Sequence, residues 1–270
     1  MPHATVNGFE MYYERHGDDG EPLVLVHGYS GDVGDWEHQI AEFSPTHRVL
    51  AMDHRGHGRS EGPPDRTTYT IEQMAHDIEE IVARAGFERY HLVGHSRGGA
   101  VSQEIALRSP GRLMSLTLHD TGPGFDLRND VVKKYFAERL RTAEEQGMAA
   151  LAEVPSPFPD PPSMTPVRRT YEKQRMAAMS IHGFAGAWDA LNSWAGTRDR
   201  AHQIAAPTMV IYGEMDVMVA KGMEFLARTI PTVHKVVVQG AAHSPQWEQA
   251  AAFNAALRAH LSRNARAPAK

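Results

Sequence analysis

The sequence contains no cysteine in its 270 residues, which excludes disulfide bonds, a thiol nucleophile and thiolate metal sites. It also lacks any apolar run near the ~20 residues that a membrane helix needs. Residues 1–17 have no continuous apolar stretch, so no signal peptide is evident. Basic runs never exceed two residues and the net charge is −5, so neither nucleic acid nor a membrane is expected as a partner. We expect a soluble, cytoplasmic protein, and the pattern does not indicate an oligomeric state.

Hydrophobic residues make up 41% of the chain, enough for one domain with a large core and an insertion. Short apolar runs alternate with segments of helical periodicity, which is clearest in residues 71–85. This alternation predicts an α/β fold with a mostly parallel central sheet covered by helices on both faces. The predicted strands are residues 9–15, 23–26, 48–52, 90–93, 113–118, 208–212 and 233–238, and the predicted core helices are 36–43, 71–85 and 100–107.

The alternation stops between residues 120 and 206. Apolar stripes there predict helices near residues 132–140, 167–180 and 184–194. Six prolines between Pro155 and Pro166 exclude a regular helix in that stretch. We therefore expect a core of residues 1–121 and 204–270, with a helical cap of residues 122–203 inserted after the strand 113–118.

The most informative segment is residues 94–99, Gly-His-Ser-Arg-Gly-Gly, between a predicted strand and a predicted helix. A sharp corner needs small residues on both sides, and Gly94 and Gly98 flank Ser96 symmetrically. The corner would raise the serine hydroxyl at the C-terminal edge of the sheet. The first backbone N–H groups of the helix would lie beside it, where they can hold an anion.

A serine hydroxyl needs a base to take its proton and a third group to orient that base. His243 lies on a loop after the strand 233–238, and Asp216 follows the strand 208–212. Asp120 also ends a strand and is the alternative acid. The sequence thus predicts Ser96, Asp216 and His243 as catalytic residues.

Another glycine turn lies at residues 53–60, where His54 and His57 could suggest a metal site. No carboxylate-rich histidine cluster accompanies them, so we expect a structural loop and no metal. Asp53 and Arg55 are expected to tie this loop to the core. The turn lacks the third glycine of a dinucleotide site, and no cofactor is predicted.

Five motifs in this order resemble those of the α/β-hydrolase family, and the resemblance covers nearly the whole chain. The motifs are the strand and oxyanion turn at residues 23–29, the Asp-x-Arg-Gly-x-Gly-x-Ser loop at 53–60, the serine elbow at 94–98, the acid turn at 213–216, and the ending formed by Gly240, His243 and Glu248.

The resemblance implies a mechanism in which Ser96 attacks an acyl carbon and the backbone N–H groups of Tyr29 and Arg97 hold the oxyanion. Caps in this family roof the pocket and select substrates. The Arg97 side chain has two alternatives: it binds a substrate carboxylate, or it turns away and pairs with Asp32 or Asp35.

Aromatic residues of the expected cap favour a small-molecule substrate with a hydrophobic or aromatic group, although such rings also pack helices together. Met218, two residues beyond Asp216, is a further candidate for the pocket wall. The aromatic candidates are Phe125, Phe158, Phe184, Trp188 and Trp194.

We expect a serine hydrolase that cleaves a small to medium carboxylic ester or lactone through an acyl-enzyme on Ser96. A carbon–carbon bond hydrolase of vinylogous diketones would use the same three residues, and perhydrolysis is a third outcome of the same machinery. A ligand-binding receptor built on the hydrolase scaffold is the alternative outside the enzymes. The fold alone does not assign the substrate.

Overall fold

An eight-stranded central sheet sets the positions of the loops at its edges. The computed structural model describes residues 3–125, 130–155 and 160–265, and it describes residues 130–133 by their backbone alone. Phe158 lies outside these ranges. Eight strands form the sheet: β1 His3–Val6, β2 Phe9–His16, β3 Glu21–Val26, β4 His47–Met52, β5 Tyr90–His95, β6 Leu113–His119, β7 Thr208–Gly213 and β8 Val233–Val238.

The strand order is β1-β2-β4-β3-β5-β6-β7-β8. The β1–β2 and β2–β4 pairs are antiparallel, and every later pair is parallel, which confirms the predicted mostly parallel sheet. Every residue of β5, β6 and β7 is buried, as expected for strands covered by helices on both faces. The C-terminal ends of these three strands are adjacent at one edge.

Helices cover the two faces of the sheet. Alternate residues of β3 divide between two apolar clusters, with Val24 and Val26 on one side and Leu23 and Leu25 on the other. The helices outside the segment between β6 and β7 are α1 Glu37–Phe43, α2 Ile71–Arg84, α3 Arg97–Arg108, α8 Ala220–Thr229, α9 Pro245–Glu248 and α10 Ala250–Arg263.

The segment between β6 and β7 contains four more helices within its described residues, and we call residues 122–203 the insert. Its helices are α4 Asp130–Gln146, α5 Met148–Glu153, α6 Pro166–Ala178 and α7 Ile181–Ser193. Thr165 and Ser180 cap α6 and α7 through hydrogen bonds to backbone N–H groups. Within the described ranges, every helix is too short or too polar to span a lipid bilayer.

The insert meets the core through glycine backbone. A Cβ built on Gly56, in the loop after β4, would lie 2.2 Å from Gly183 Cα of α7. A Cβ on Gly183 would lie 2.1 Å from Gly56 O. Neither position has room for a side chain, so the loop and the helix approach each other backbone to backbone.

The structure adds elements that the sequence patterns do not predict. Strand β1 is four residues long and lies at the sheet edge, and α5 has six residues. The patterns also do not predict helix α8, although its apolar residues Met223 and Leu226 are buried against the sheet. Segments as short as β1 and α5 contain too few periods for a pattern to identify them.

Candidate active site

The elbow at Ser96 is formed by the direct passage of β5 into α3. Ser96 has φ 52° and ψ −115°, a left-handed conformation that few non-glycine residues adopt. A Cβ on Gly94 would lie 2.4 Å from Gly98 O, and a Cβ on Gly98 would lie 2.3 Å from Val26 O. Only glycine fits at both positions, and the tight corner leaves the Ser96 side chain partly exposed.

Ser96, His243 and Asp216 form a continuous chain of polar contacts. Ser96 Oγ lies 3.0 Å from His243 Nε2, and Asp216 Oδ2 lies 2.5 Å from His243 Nδ1. Asp216 is 4% exposed, and its Oδ1 accepts a hydrogen bond from the Met218 N–H at 3.2 Å. Ser96 follows β5, Asp216 follows β7 and His243 follows β8, so one edge of the sheet brings the three residues together.

The loop that carries His243 is held by Glu248 of α9. Its carboxylate accepts hydrogen bonds from the backbone N–H groups of Ala242 at 2.5 Å and Ser244 at 3.0 Å. Burial lowers the pKa of His243, but the charge and hydrogen bond of Asp216, together with the charge of Glu248, outweigh burial and raise this pKa above its usual value. The imidazole is therefore a stronger base than a free histidine.

Asp120, the alternative acid, lies behind Asp216 and does not contact the imidazole. It is fully buried at the end of β6 with φ 42°, and its Oδ1 accepts a hydrogen bond from the Gly213 N–H at 3.1 Å. Burial, the charge of Asp216 and a hydrogen bond to Asp216 raise the pKa of Asp120 well above its usual range. The pKa of Asp120 is thus raised and that of Asp216 is lowered, which favours the neutral form of Asp120 and the charged form of Asp216.

The side chain beside Asp120 is a neutral histidine. His119 Nδ1 lies 2.7 Å from Asp120 Oδ2, and His119 Nε2 lies 2.6 Å from Gln246 Oε1. Burial and the neighbouring His95 lower the pKa of His119 well below its usual value. Nothing in the sequence indicates this His119–Gln246 contact, because the two residues are 127 positions apart.

One group among the described residues has the composition of a metal site. The ligand atoms of Asp120, Asp216 and His243 all lie within 4.8 Å of one another. The direct contact between His243 Nδ1 and Asp216 Oδ2 uses the atoms that would bind a cation. The group thus overlaps the hydrogen-bonded chain described above and adds no separate site.

The turn after β3 lies directly beside the elbow. A Cβ on Gly28 would lie 3.1 Å from Ser96 Cβ, so the Gly28–Tyr29 peptide adjoins the serine. Arg97 is the first residue of α3, and the first N–H groups of an α-helix have no partner within the helix. The backbone N–H groups of Tyr29 and Arg97 therefore belong to the two segments nearest to Ser96.

The Arg97 side chain does not pair with Asp32 or Asp35, which answers one of the two alternatives. It is 1% exposed and contacts His57 Nε2 at 3.0 Å and Gly28 O at 3.3 Å. Asp32 and Asp35 instead interact with the insert, in contacts that the sequence analysis missed. Arg168 and Arg175 of α6 contact Asp35 Oδ1 at 2.7 and 2.5 Å, and Tyr171 Oη donates to Asp32 at 2.6 Å.

The loop after β4 is tied to the core by its charged residues, as expected. Asp53 accepts hydrogen bonds from the Val33 N–H at 2.7 Å and the Arg59 N–H at 2.8 Å. Arg55 makes a bidentate contact with Asp77 at 2.7 and 2.8 Å. These buried contacts fix the loop against the segment after β3 and against α2.

Aromatic rings from the turn after β3 and from the insert form a continuous cluster. Tyr29 donates a hydrogen bond to Phe184 O at 3.0 Å, and the ring centroids of Tyr29 and Phe184 are 5.2 Å apart. Trp188 stacks on Phe136 at 4.8 Å and meets Phe125 edge-on at 5.6 Å. The structure therefore brings Phe125 and Trp188 together as pocket candidates, and it adds Phe136, which the sequence analysis did not place there.

The described pocket candidates outside this cluster are Trp194 and Met218. Trp194 is 8% exposed, and its indole N–H donates to Glu104 Oε1 at 2.8 Å, so the structure does not bring it to the aromatic cluster. Met218 is 45% exposed on the loop after β7, beside Asp216. The positions of Trp194 and Met218 in the sequence do not distinguish them from Trp188, which lies in the aromatic cluster.

Comparison with known proteins identifies the family. The family model described as alpha/beta hydrolase fold matches residues 21–250. A protein of Azorhizobium caulinodans named as a carbamate hydrolase, RutD, is 31% identical over 251 residues, which cover 90% of this chain and 92% of that protein. The chain therefore belongs to the α/β-hydrolase family.

Two solved structures agree with this assignment. The enol-lactonase of Burkholderia xenovorans LB400 has a TM-score of 0.87 and 28% identity, over 97% of this chain and 100% of that one. A thermophilic esterase of Thermogutta terrifontis, with malate bound, has a TM-score of 0.84 and 28% identity over 98% of each chain. The protein is a hydrolase of the α/β family.

Proposed function

We propose that the protein is a serine hydrolase that cleaves a small to medium carboxylic ester or lactone through an acyl-enzyme on Ser96. The observation that carries this proposal is the chain of contacts from Ser96 Oγ through His243 to Asp216, at 3.0 and 2.5 Å. A nucleophile, a base and an orienting acid at these distances are what acyl transfer requires.

In the proposed reaction, Ser96 Oγ attacks the acyl carbon and His243 takes the hydroxyl proton. Asp216 stabilises the imidazolium, and the Tyr29 and Arg97 backbone N–H groups hold the oxyanion. His243 returns the proton to the leaving alcohol, and an acyl-enzyme remains. Water then attacks the acyl carbon, gives its proton to His243, and releases the acid and Ser96. Because the reaction needs neutral His243, activity should rise with pH through a value above ~6.5.

The insert is proposed to act as a cap over this site. The aromatic cluster contacts Tyr29 from the insert side and offers an apolar surface next to the oxyanion turn. Such a surface fits a hydrophobic or aromatic acyl or alcohol group. The names of the enol-lactonase and the esterase among the similar structures are compatible with an ester or lactone substrate.

The test is hydrolysis of p-nitrophenyl esters of increasing acyl length by the wild type and by Ser96→Ala. Removing the serine of such a triad costs about 10⁶ in turnover. Ser102→Ala is a matched control, because Ser102 is a fully buried serine of the same helix and is not part of the chain of contacts. We expect the control to keep its activity, and the acyl-length profile to measure the pocket.

Two results would contradict the proposal. Ester turnover that survives in Ser96→Ala would remove the serine from the mechanism. Absence of turnover on every ester, by folded protein, would favour the carbon–carbon hydrolase, which diketone substrates would then reveal. Tight binding of such compounds without turnover would indicate the receptor.

A further inference from the structure

Arg97 is a buried cation without a counter-ion. Its side chain is 1% exposed, and among the described residues no carboxylate pairs with the guanidinium. Its Nε is buried without a hydrogen-bond partner. Burial lowers the pKa of Arg97 to about 9, and only the rings of Tyr29 and Tyr69 act in the opposite direction. An uncompensated charge in this position destabilises a fold, so its contacts point to a function.

Two neutral histidines set the hydrogen bonds around the guanidinium: His57 contacts it, and His27 contacts the same carbonyl oxygen, Gly28 O. His57 Nδ1 donates to Arg55 O at 2.9 Å, so its Nε2 lone pair accepts from Arg97 Nη1. His27 Nε2 accepts from the His54 N–H at 3.0 Å, so its Nδ1 proton points to Gly28 O at 2.8 Å. Burial and the charge of Arg97 lower the pKa of both histidines, which keeps them neutral.

Gly28 O is therefore the shared acceptor of several donors. Arg97 Nη2 approaches it at 3.3 Å, His27 Nδ1 at 2.8 Å and the Gly31 N–H at 3.3 Å. The Gly28–Tyr29 peptide is trans, so its C=O and N–H point in opposite directions. Donors that hold the Gly28 oxygen on one side thereby fix the Tyr29 N–H towards the other.

Building on the proposed serine-hydrolase function, we propose that the Arg97 guanidinium is a positioning group for the oxyanion hole. It holds the Gly28–Tyr29 peptide so that the Tyr29 N–H points at the developing oxyanion. A cation bound to the carbonyl oxygen also polarises the amide, which strengthens its N–H as a donor. The side chain acts through the peptide and does not touch the substrate, whereas the Arg97 backbone N–H is the second donor.

The test compares wild type, Arg97→Met and Arg97→Lys on two esters of matched size, p-nitrophenyl valerate and p-nitrophenyl hydrogen glutarate. Loss of a whole oxyanion donor costs about 10²–10³ in kcat, so a misplaced donor should cost about tenfold or more. We expect this loss in Arg97→Met, equally on both esters, with KM within about threefold of the wild type. Arg97→Lys keeps a cation that can reach Gly28 O and should recover part of kcat.

The stability of the variants provides a second measurement. Since Arg97→Met removes a buried unpaired charge, its Tm should rise by about 2 °C or more while kcat falls. A fall in Tm together with kcat would show a merely structural role and overturn the proposal. So would an unchanged kcat, or a loss confined to the acidic ester, which would show that Arg97 binds a substrate carboxylate.

This inference can fail separately from the proposed function. A fluorophosphonate phosphonylates Ser96 and places its P=O oxygen in the oxyanion hole, whatever the natural substrate is. Slower labelling of Arg97→Met than of wild type would support the positioning role even if no ester is turned over. Equal labelling rates would overturn it.

Discussion

Asp120 and Asp216 are neighbouring carboxyl groups whose pKa values are shifted in opposite directions. Both lie at the sheet edge, but only Asp216 makes a hydrogen bond with His243. At the level of sequence the two positions are equivalent, because each aspartate follows a buried strand. Their surroundings differ, because His243 lies beside Asp216 and the neutral His119 lies beside Asp120. This difference shifts the two pKa values apart.

The two aspartates should respond differently to replacement by asparagine. In Asp120→Asn the new amide is neutral, like a protonated carboxyl group, and can still accept from the Gly213 N–H, so this variant should keep kcat within about threefold. Asp216→Asn removes the charge that orients His243 and should lower kcat by about 10⁴. The measurement is kcat on one p-nitrophenyl ester. The reverse order of losses would make Asp120 the orienting acid.

Helix α6 binds the core through charge. Arg168 and Arg175 both contact Asp35, which is 7% exposed. Burial raises the pKa of Asp35, but the two arginines outweigh burial and hold this pKa well below its usual range. The two arginines therefore link the insert to the loop that follows β3.

Removing the shared carboxylate should destabilise the protein strongly. Asp35→Asn leaves Arg175 largely buried with only Asp32 at 3.7 Å, and should lower the free energy of unfolding by about 3 kcal/mol. The contribution of Asp35 should be present above its unfolded pKa of ~3.9 and disappear as pH falls below it. Urea unfolding at pH 7 measures the loss.

A matched control removes another carboxylate from the same arginine pair. Glu172, on the exposed side of α6, contacts Arg168 at 3.1 Å, and Glu172→Gln should change stability by less than about 1 kcal/mol. Equal losses of stability in Asp35→Asn and Glu172→Gln would show that the buried ion pairs of Asp35 stabilise the protein no more than the more exposed pair of Glu172.

The elements that sequence could predict are those set by local patterns. The parallel strands and the elbow follow from periodicity and glycine spacing over a few residues, whereas the order of Ser96, Asp216 and His243 is matched through the family resemblance. The pairing of Asp35 with Arg175 spans 140 positions, and no local pattern contains it. For the same reason the sequence left the orientation of Arg97 open, since its partners Gly28 and His57 come from two other loops.

At the scale of the whole molecule, many of the sixteen histidines are buried. Burial is the largest cause that lowers their pKa, and the value falls to about 4 for His95 and about 3 for His27 and His260. The fully or nearly fully buried histidines with a lowered pKa include His27, His54, His57, His95, His119 and His260.

These histidines predict a steep loss of stability in mild acid. Because the unfolded chain binds a proton at each of them below ~6.5 and the folded protein does not, each should cost about 1.4 kcal/mol per pH unit below that value. The raised pKa values of Asp53, Asp120, His243 and Glu248 act in the opposite direction, but these groups are fewer than the buried histidines with a lowered pKa. Urea unfolding between pH 8 and pH 5.5 measures the slope.

His260→Gln provides the control for this prediction. His260 donates to Leu116 O at 3.1 Å, and a glutamine amide can replace that donor. The variant should be less sensitive to pH by about one proton. A stability that stays constant between pH 7 and pH 5.5 in the wild type would contradict the prediction.

The contact between Gly56 and Gly183 has a consequence for protein engineering. Transplanting the insert of a relative onto this core requires glycine on both sides of the contact. A graft that brings alanine at position 183, or a core that has it at 56, would hold the new insert away from the loop after β4. Both positions should therefore be checked for glycine before segments are exchanged between family members.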